Sequence, residues 1–365
     1  KHAELPYKCG DALRVYAQNP AALVERFLKR MKLDGQKRIV LSPNNDAGAL
    51  KRQPHNPCFG VSMTLAQLLT YQIELNGTGT RRFLGMMSTF AQDEEERERL
   101  EELSASSHLD EFHSYCYREK RNYVEILEDF TAIDIPLVDI LSCIPPLKPR
   151  YFSISSSPLD DTIHLTVARL EFTTPYNRKR MGLCSNYLCQ VTKHAVLECG
   201  TAPGTVHVPD PAQPLLLIGP GTGIAPLRSI VRWCLKTKYS APIMLLTGNR
   251  YREKDYLYGS EFEAASKECA TLNHLASFSR DGDKCRYVQH RMAQVATAKE
   301  IGTLLASDAV VVLCGNSKQM PKDVDISLAS IIHHFVTKSG DEADAEQYLK
   351  AMKKNGRFFS ETWSS

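Results

Sequence analysis

Two textures of apolar and polar positions divide the chain. From Leu215 onward, short and wholly apolar runs alternate with stretches of helical period: strand Leu215–Ile218, helix Ala225–Leu235, strand Ile243–Leu246, helix Ser260–Ser266, strand Leu272–Ser277, then strand Ala309–Leu313 and a further helix. Uninterrupted apolar runs are what strands buried on both faces require, so this series predicts a parallel sheet with helices on both sides. The first half reads differently. Tyr7–Tyr16 opens with a turn signal and continues in alternation, which predicts a short strand, and Ala21–Met31 predicts a helix. From Thr64 to about Ile140 the period is helical, with Leu65, Leu68 and Leu69 on one face and a charge-dense stretch, Asp93–Glu102, that reads as a solvated helix surface. Pro145, Pro146 and Pro149 close that block, and β-type runs return at Tyr151–Ser155, Ile163–Leu170 and Val196–Glu198. The helical block is therefore expected to be an insertion in a β domain. Pro209–Pro214 reads as a linker to the second half.

A length of 365 residues exceeds one ordinary core and suits two or three domains. With 43% hydrophobic and 24% charged residues the composition is that of a soluble globular protein, and no apolar run approaches the roughly 20 residues of a membrane span. Basic residues number 45 against 42 acidic, too close to balance to favour nucleic acid as a partner. The 11 cysteines contain no CxxC pair and read as reduced thiols of a cytoplasmic protein, with no metal site. A start at Lys1, without methionine, reads as a fragment of a longer protein.

Candidate chemistry concentrates in a few stretches. Gly219-Pro220-Gly221-Thr222-Gly223-Ile224-Ala225-Pro226 follows an apolar strand and opens a helix, so its backbone can close on a phosphate at the positive end of the helix dipole. Ser279 and Arg280, with Lys284, Arg286 and Tyr287 behind them, follow Leu272–Ser277. At that strand end an NAD-specific fold carries an acid for the ribose; a hydroxyl and cations suit the extra phosphate of NADPH. Arg150-Tyr151-Phe152-Ser153 is a strand whose alternation sends Tyr151 and Ser153 one way and Arg150 and Phe152 the other. Gly182-Leu183-Cys184-Ser185 reads as a second phosphate loop, a glycine and a hydroxyl N-cap ahead of a helix. Two such loops suggest two nucleotides.

In this order and spacing the motifs resemble the ferredoxin-NADP reductase superfamily, and within it the FAD/NADPH half of diflavin reductases, over essentially the whole chain. Arg150–Ser153 is similar to the family's Arg-x-Tyr-Ser motif, Gly182–Ser185 to its FAD pyrophosphate loop and Gly219–Pro226 to its NADPH loop; Gly248–Arg250 and Asp255–Tyr258 adjoin that loop, Tyr287–His290 continues the cation cluster, and Cys314–Asn316 with Met320 and Glu361–Ser364 complete the set. The resemblance implies a multidomain α/β fold: an antiparallel β-barrel FAD domain (1–62 and 141–210), an inserted helical connecting domain (63–140), and a Rossmann-like parallel α/β NADPH domain (211–365). It implies FAD contacts from Arg150, Tyr151, Phe152, Ser153, Thr166, Ala168, Gly182, Leu183, Cys184, Ser185 and Trp363. NADPH contacts would come from Gly221, Thr222, Gly223, Arg250, Ser279, Arg280, Lys284, Arg286, Tyr287, Cys314, Asn316 and Met320. Ser153, Cys314, Glu361 and Trp363 would be catalytic.

Three positions depart from the family pattern: Phe152 replaces the usual Tyr, Cys285 the usual Lys, and Glu361 an Asp found in several relatives. Phe152 with Glu361-Thr362-Trp363 is most similar to the soluble NADPH-dependent diflavin reductases of cytosolic iron–sulfur cluster assembly. That likeness implies an upstream FMN domain, absent here, and an iron–sulfur acceptor like anamorsin. The alternatives are a reductase half serving a haem protein, a stand-alone ferredoxin-NADP reductase-like enzyme, and a nucleotide-binding scaffold without activity.

Overall fold

The computed structural model describes residues 5–42, 60–206, 208, 213–282, 284–337 and 341–363. Contacts group the chain into two units, one of Lys1–Arg14, Tyr151–Ala168 and Cys199–Ser365, the other of Val15–Arg150 and Arg169–Glu198. Residues 209–212 of the expected linker, and Ser364, lie outside the described residues.

The first unit is built on a five-stranded sheet in the order Leu272–Phe278, Ile243–Asn249, Leu215–Pro220, Val310–Asn316, Phe358–Trp363. Every pairing in it is parallel. Alternation along the strands deals their side chains into two cores. Leu216, Ile218, Met244, Leu246, Val311 and Leu313 pack against helices Val295–Ala306, Met320–Ile332 and Glu342–Lys354. Leu215, Leu217, Ile243, Leu245, Val310 and Val312 pack on the opposite side, against helices Ile224–Thr237 and Gly259–Glu268. Because both faces are covered, neither shows the polar alternation of a half-exposed strand, which is why the runs are legible as apolar blocks. The observed strands extend the expected ones by a few residues at their C-terminal ends, where the glycines and polar residues of the motifs lie. A three-stranded sheet, order Arg150–Ser153, Ala12–Val15, Cys199–Ala202, carries the N-terminal strand. Two of the expected β runs do not form strands: Ile163–Leu170 contributes one antiparallel bridge, Leu165 with Ile154, and Val196–Glu198 stays outside the sheet. Val196 is 93% exposed, so its β-branched side chain has no surface to pack on, and propensity without burial makes no strand.

The second unit is the helical block. Its core gathers Phe27, Leu65, Leu68, Leu69, Phe83, Met87, Leu100, Leu103 and Tyr123, with Phe83 and Tyr123 edge to face at 4.9 Å between centroids. Sequence-local caps fix the helix starts: Thr64 with Gln67 and Asn122 with Glu125 each form a reciprocal capping box, and Asp93 accepts the N–H of Glu96. The charge-dense stretch becomes helix Glu94–Ser104, but its surface is not purely solvated, since Glu96 accepts the N–H groups of Thr131 and Ala132 at 2.9 and 3.1 Å. Glu119 is buried, 1% exposed, and it holds the antiparallel hairpin of Glu171–Thr173 and Lys179–Met181. Its carboxylate accepts Thr174 Oγ1 (2.6 Å) and the N–H of Tyr176 (3.2 Å), while Arg180 donates to its carbonyl and to Glu125. Among the described residues no helix is long and apolar enough to cross a membrane.

His274, on the edge strand Leu272–Phe278, is packed between the rings of Tyr256 (6.2 Å) and Phe262 (5.2 Å), with Nε2 2.9 Å from Thr247 Oγ1. Burial pushes its pKa down to about 4. Between that value and the ordinary histidine range the unfolded chain binds a proton that the folded protein refuses, so stability falls as pH drops. The expected loss is about 2 kcal/mol between pH 7 and pH 5. Urea unfolding at the two pH values, on the parent chain and on His274→Gln, should show this increment shrinking in the variant; equal pH sensitivity would remove His274 as its source.

Candidate active site

Parallel pairing puts the C-terminal ends of all five strands on one edge, and the candidate residues carried by those strands and the turns that follow them gather there. Strand Leu215–Pro220 turns through a 3-10 turn, Gly221–Gly223, into helix Ile224–Thr237, whose start has no side-chain cap. Gly221 has φ +59° with open space on its Cβ side, so the turn is left-handed and unobstructed. Gly223 sits against the next strand: a Cβ there would lie 2.1 Å from the carbonyl oxygen of Cys314. An uncapped helix start behind an open glycine turn is a fitting cradle for a pyrophosphate.

The cations assemble on the neighbouring strand ends. The N–H of Ser279 donates to the carbonyl of Asn249 and that of Arg280 to the carbonyl of Arg250, both at 2.9 Å, which sets the two arginines side by side. Arg250, Arg280, Lys284 and Arg286 are all exposed, as is half of Tyr287. Two nearby acids are engaged by backbone: Asp255 accepts the N–H groups of Arg250 and Tyr251, and Asp281 accepts the N–H of Arg252 at 2.6 Å. Asp281 escaped the sequence reading, and its bond to the Arg252 N–H fixes where that carboxylate sits beside the cations. Cys285 is buried, with Sγ 3.7 Å from the carbonyl of His290, so the two outward groups at this turn are its neighbours Lys284 and Arg286.

Strand Phe358–Trp363 pairs with Val310–Asn316 in a register that sets Glu361 opposite Cys314 and Trp363 opposite Asn316. Ser153 Oγ donates to Glu361 Oε1 at 3.1 Å, while Glu361 Oε2 is buried and finds no hydrogen-bond partner among the described residues. Burial raises the Glu361 pKa, against the Ser153 bond that lowers it, and burial raises the Cys314 thiol well above its ordinary value, with the Glu361 charge adding to the rise. A buried carboxylate oxygen without a donor is costly in itself, and it fits a ring that carries an amide or develops positive charge. Ser153, Cys314 and Glu361, distant in sequence, are thus brought together. Met320 starts helix Met320–Ile332 beside Gly315, and Asn316 accepts the N–H of Lys318. Tyr151 is 60% exposed, Phe152 is half-buried, and Thr166 Oγ1 lies 2.7 Å from the hydroxyl of Tyr258. Ala168 is exposed.

Arg150 and the loop Gly182–Ser185 belong to the second unit. Arg150 pairs with Glu74 at 2.7 Å. Gly182, not Ser185, is the N-cap of helix Leu183–Gln190, and no side chain caps it. Ser185 lies inside the first turn, where its Oγ accepts the N–H of Leu170 (3.2 Å), so the hydroxyl is used to hold the loop and the helix start keeps its N–H groups. A Cβ on Gly182 would lie 2.7 Å from that Oγ and 2.9 Å from Leu170 Cβ, so the glycine is set by close packing. Leu183 is half-buried; Cys184 is buried, and burial raises its pKa to about 11.

Comparison with known proteins identifies two family domains along the chain. The FAD binding domain family matches residues 1–187 and the oxidoreductase NAD-binding domain matches residues 217–325. Proteins named NADPH-dependent diflavin oxidoreductase 1 are similar along nearly the whole chain. The protein from Arabidopsis thaliana is 33% identical over 380 residues, covering 99% of this chain and 59% of its own length. Those from Danio rerio and Saccharomyces cerevisiae are 31% and 32% identical, covering 99% and 98% of this chain and 60% and 58% of their own. The chain thus spans about three fifths of the length of the curated relatives it matches. With more than half of its residues matched by the first family, the chain belongs to the FAD binding domain family, and the NAD-binding domain that follows makes it an oxidoreductase taking FAD and a nicotinamide dinucleotide.

Proposed function

We propose that this chain is the FAD- and NADPH-binding part of a diflavin reductase, passing electrons from NADPH through FAD to an FMN domain and on to an anamorsin-like iron–sulfur protein of cytoplasmic cluster assembly. In this reading residues 1–62 and 141–210 form the FAD domain, 63–140 connect, and 211–365 hold NADPH. The observation that carries it is the cluster of Arg250, Ser279, Arg280, Lys284 and Arg286 at adjoining strand ends, with Asp255 and Asp281 held by backbone N–H groups. The name borne by the relatives, and the two fifths of their length that this chain does not span, support the diflavin assignment.

Bound NADPH supplies a hydride to bound FAD, leaving oxidised dinucleotide and reduced flavin. The chain's own residues orient and stabilise. Gly221–Gly223 and the start of helix Ile224–Thr237 hold the dinucleotide pyrophosphate, and Arg280 with Lys284 or Arg286 holds the extra phosphate. Gly182–Ser185 and Arg150 hold the FAD pyrophosphate, with Tyr151, Phe152, Thr166, Ala168 and Trp363 around the rest of the flavin. Ser153 keeps Glu361 in place, Glu361 offers negative charge where the nicotinamide becomes cationic, and Cys314, Asn316 and Met320 line the nicotinamide side.

The purified chain should be yellow and bleach anaerobically with NADPH; a protein that binds dinucleotide but does not bleach would be a scaffold. NADPH should be preferred over NADH by about a hundredfold or more, from two charge-assisted contacts of about 1.5–3 kcal/mol each, and Arg280→Ala should cut the preference at least about tenfold. Unchanged discrimination would remove Arg280 from the site. Glu361→Gln should slow flavin reduction in rapid mixing while leaving nucleotide affinity nearly unchanged. Because the Glu361 pKa is raised, its charge is lost as pH falls through a value above the ordinary carboxylate range, so the parent rate should decline there and the variant's should not. Gly223→Ala, which forces a Cβ onto the Cys314 carbonyl, should lower stability by about 1–3 kcal/mol and abolish dinucleotide binding. Thermal melting and titration with oxidised dinucleotide check both effects; a variant that melts and binds like the parent would mean the turn does not need its close approach.

A further inference from the structure

Helix Ile224–Thr237 begins at the dinucleotide turn, and one face of it is laced to the segment that follows strand Arg150–Ser153. Arg228, 6% exposed, donates Nη1 to the carbonyl of Ser155 (3.0 Å) and lies 3.3 Å from His164 Nδ1, while its Nε donates to Glu261 (2.9 Å). One residue on, Ser229 Oγ donates to the carbonyl of Ser156 at 2.6 Å. A turn further, Arg232 grips both oxygens of Asp160 at 2.8 Å, and Lys236 reaches the same carboxylate at 2.7 Å. Ser155, Ser156 and Ser157 are fully buried, so their backbone groups must find partners inside the protein. Under the Arg228 guanidinium, 4.2 Å away, lies the ring of Tyr258, whose hydroxyl is the one that meets Thr166.

Stability alone does not require a cation at position 228, because a buried ion pair is often matched by apolar residues of similar volume. What an apolar residue lacks is direction. A planar guanidinium with fixed donors can hold the Ser155 carbonyl, His164 and Glu261 at once, and lie flat on Tyr258. These partners come from two stretches of chain: residues 155–164, beyond Ser153, and the residues preceding and within helix Gly259–Glu268.

We propose that Arg228, working through Tyr258, is a positioning residue for the transfer step: it sets where the Ser153 strand end and Thr166 stand relative to the dinucleotide turn at the head of its own helix. The proposal rests on the reading of the chain as an NADPH-to-FAD reductase. A displacement of about 1 Å between reacting groups costs on the order of a hundredfold in rate, so a residue that touches neither reactant can govern the step through placement.

The test compares the FAD-loaded parent chain with Arg228→Lys and Tyr258→Phe, mixed rapidly with NADPH and with NADPH deuterated at C4. Lysine keeps the charge but loses the planar fork. Arg228→Lys should slow flavin bleaching by about ten- to a hundredfold and change the isotope effect on that step, with FAD content and half-saturation by NADPH within about twofold of the parent. Tyr258→Phe, the milder change, loses only the hydroxyl to Thr166 and should slow bleaching several-fold. Independently of turnover, amide exchange across residues 153–160 in nucleotide-free protein should quicken in Arg228→Lys. A parental rate and isotope effect in Arg228→Lys would overturn the proposal, as would a rate loss matched by loss of FAD or unchanged exchange at 153–160. If the unmodified chain fails to bleach with NADPH, the parent reading falls, and the exchange measurement still decides whether Arg228 orders the segment.

Discussion

The five strands of the central sheet run the same way, and each must therefore end on the same edge. That geometry collects groups from five separate stretches of chain: the turn Gly221–Gly223, the Asn249–Arg250 and Ser279–Arg280 pair, Cys314, and Glu361. Parallel pairing is affordable only where helices cover both faces, since the crossovers that reverse direction must pack somewhere. The two cores on either side of the sheet are thus a condition of the site.

The edge so formed is electrostatically divided. The ends of strands Leu272–Phe278 and Ile243–Asn249 lead into exposed arginines and a lysine, beside which two carboxylates, Asp255 and Asp281, accept backbone N–H groups. The ends of strands Val310–Asn316 and Phe358–Trp363 present a buried thiol and a half-buried carboxylate that takes one hydroxyl donor and has its other oxygen buried. Exposed cations suit phosphates, which stay largely hydrated, whereas a desolvated carboxylate interacts strongly with charge that develops beside it. One strand order therefore places an exposed cationic region and a desolvated acidic group along the same edge.

Buried polar contacts do comparable work in each unit. In the first, Arg228, Ser229, Arg232 and Lys236 fasten a helix to a stretch whose serines are fully enclosed. In the second, Glu119 fastens a hairpin to the helical block. Such contacts add little net stability over well-packed apolar ones, but they are satisfied in one geometry only, and that makes them suited to holding a strand end or loop in place.

Much of this was readable from residue order. Apolar blocks buried on two faces announce themselves as strands, glycines announce turns ahead of helix starts, and Leu65, Leu68 and Leu69 announce a helix, because each signal is local. Local signals failed where burial decides: Val196 carries strand propensity but meets no sheet, and Ser185, a natural cap by type, is displaced from that role by Gly182. Tertiary structure alone decided that Ser153 meets Glu361 across some two hundred residues of sequence, that Asp281 turns to backbone, that Cys285 faces inward, and that Arg228 reaches Ser155 and Tyr258. Those pairings depend on strand order and helix rotation, which arise from packing the whole unit and leave no periodic trace in the chain.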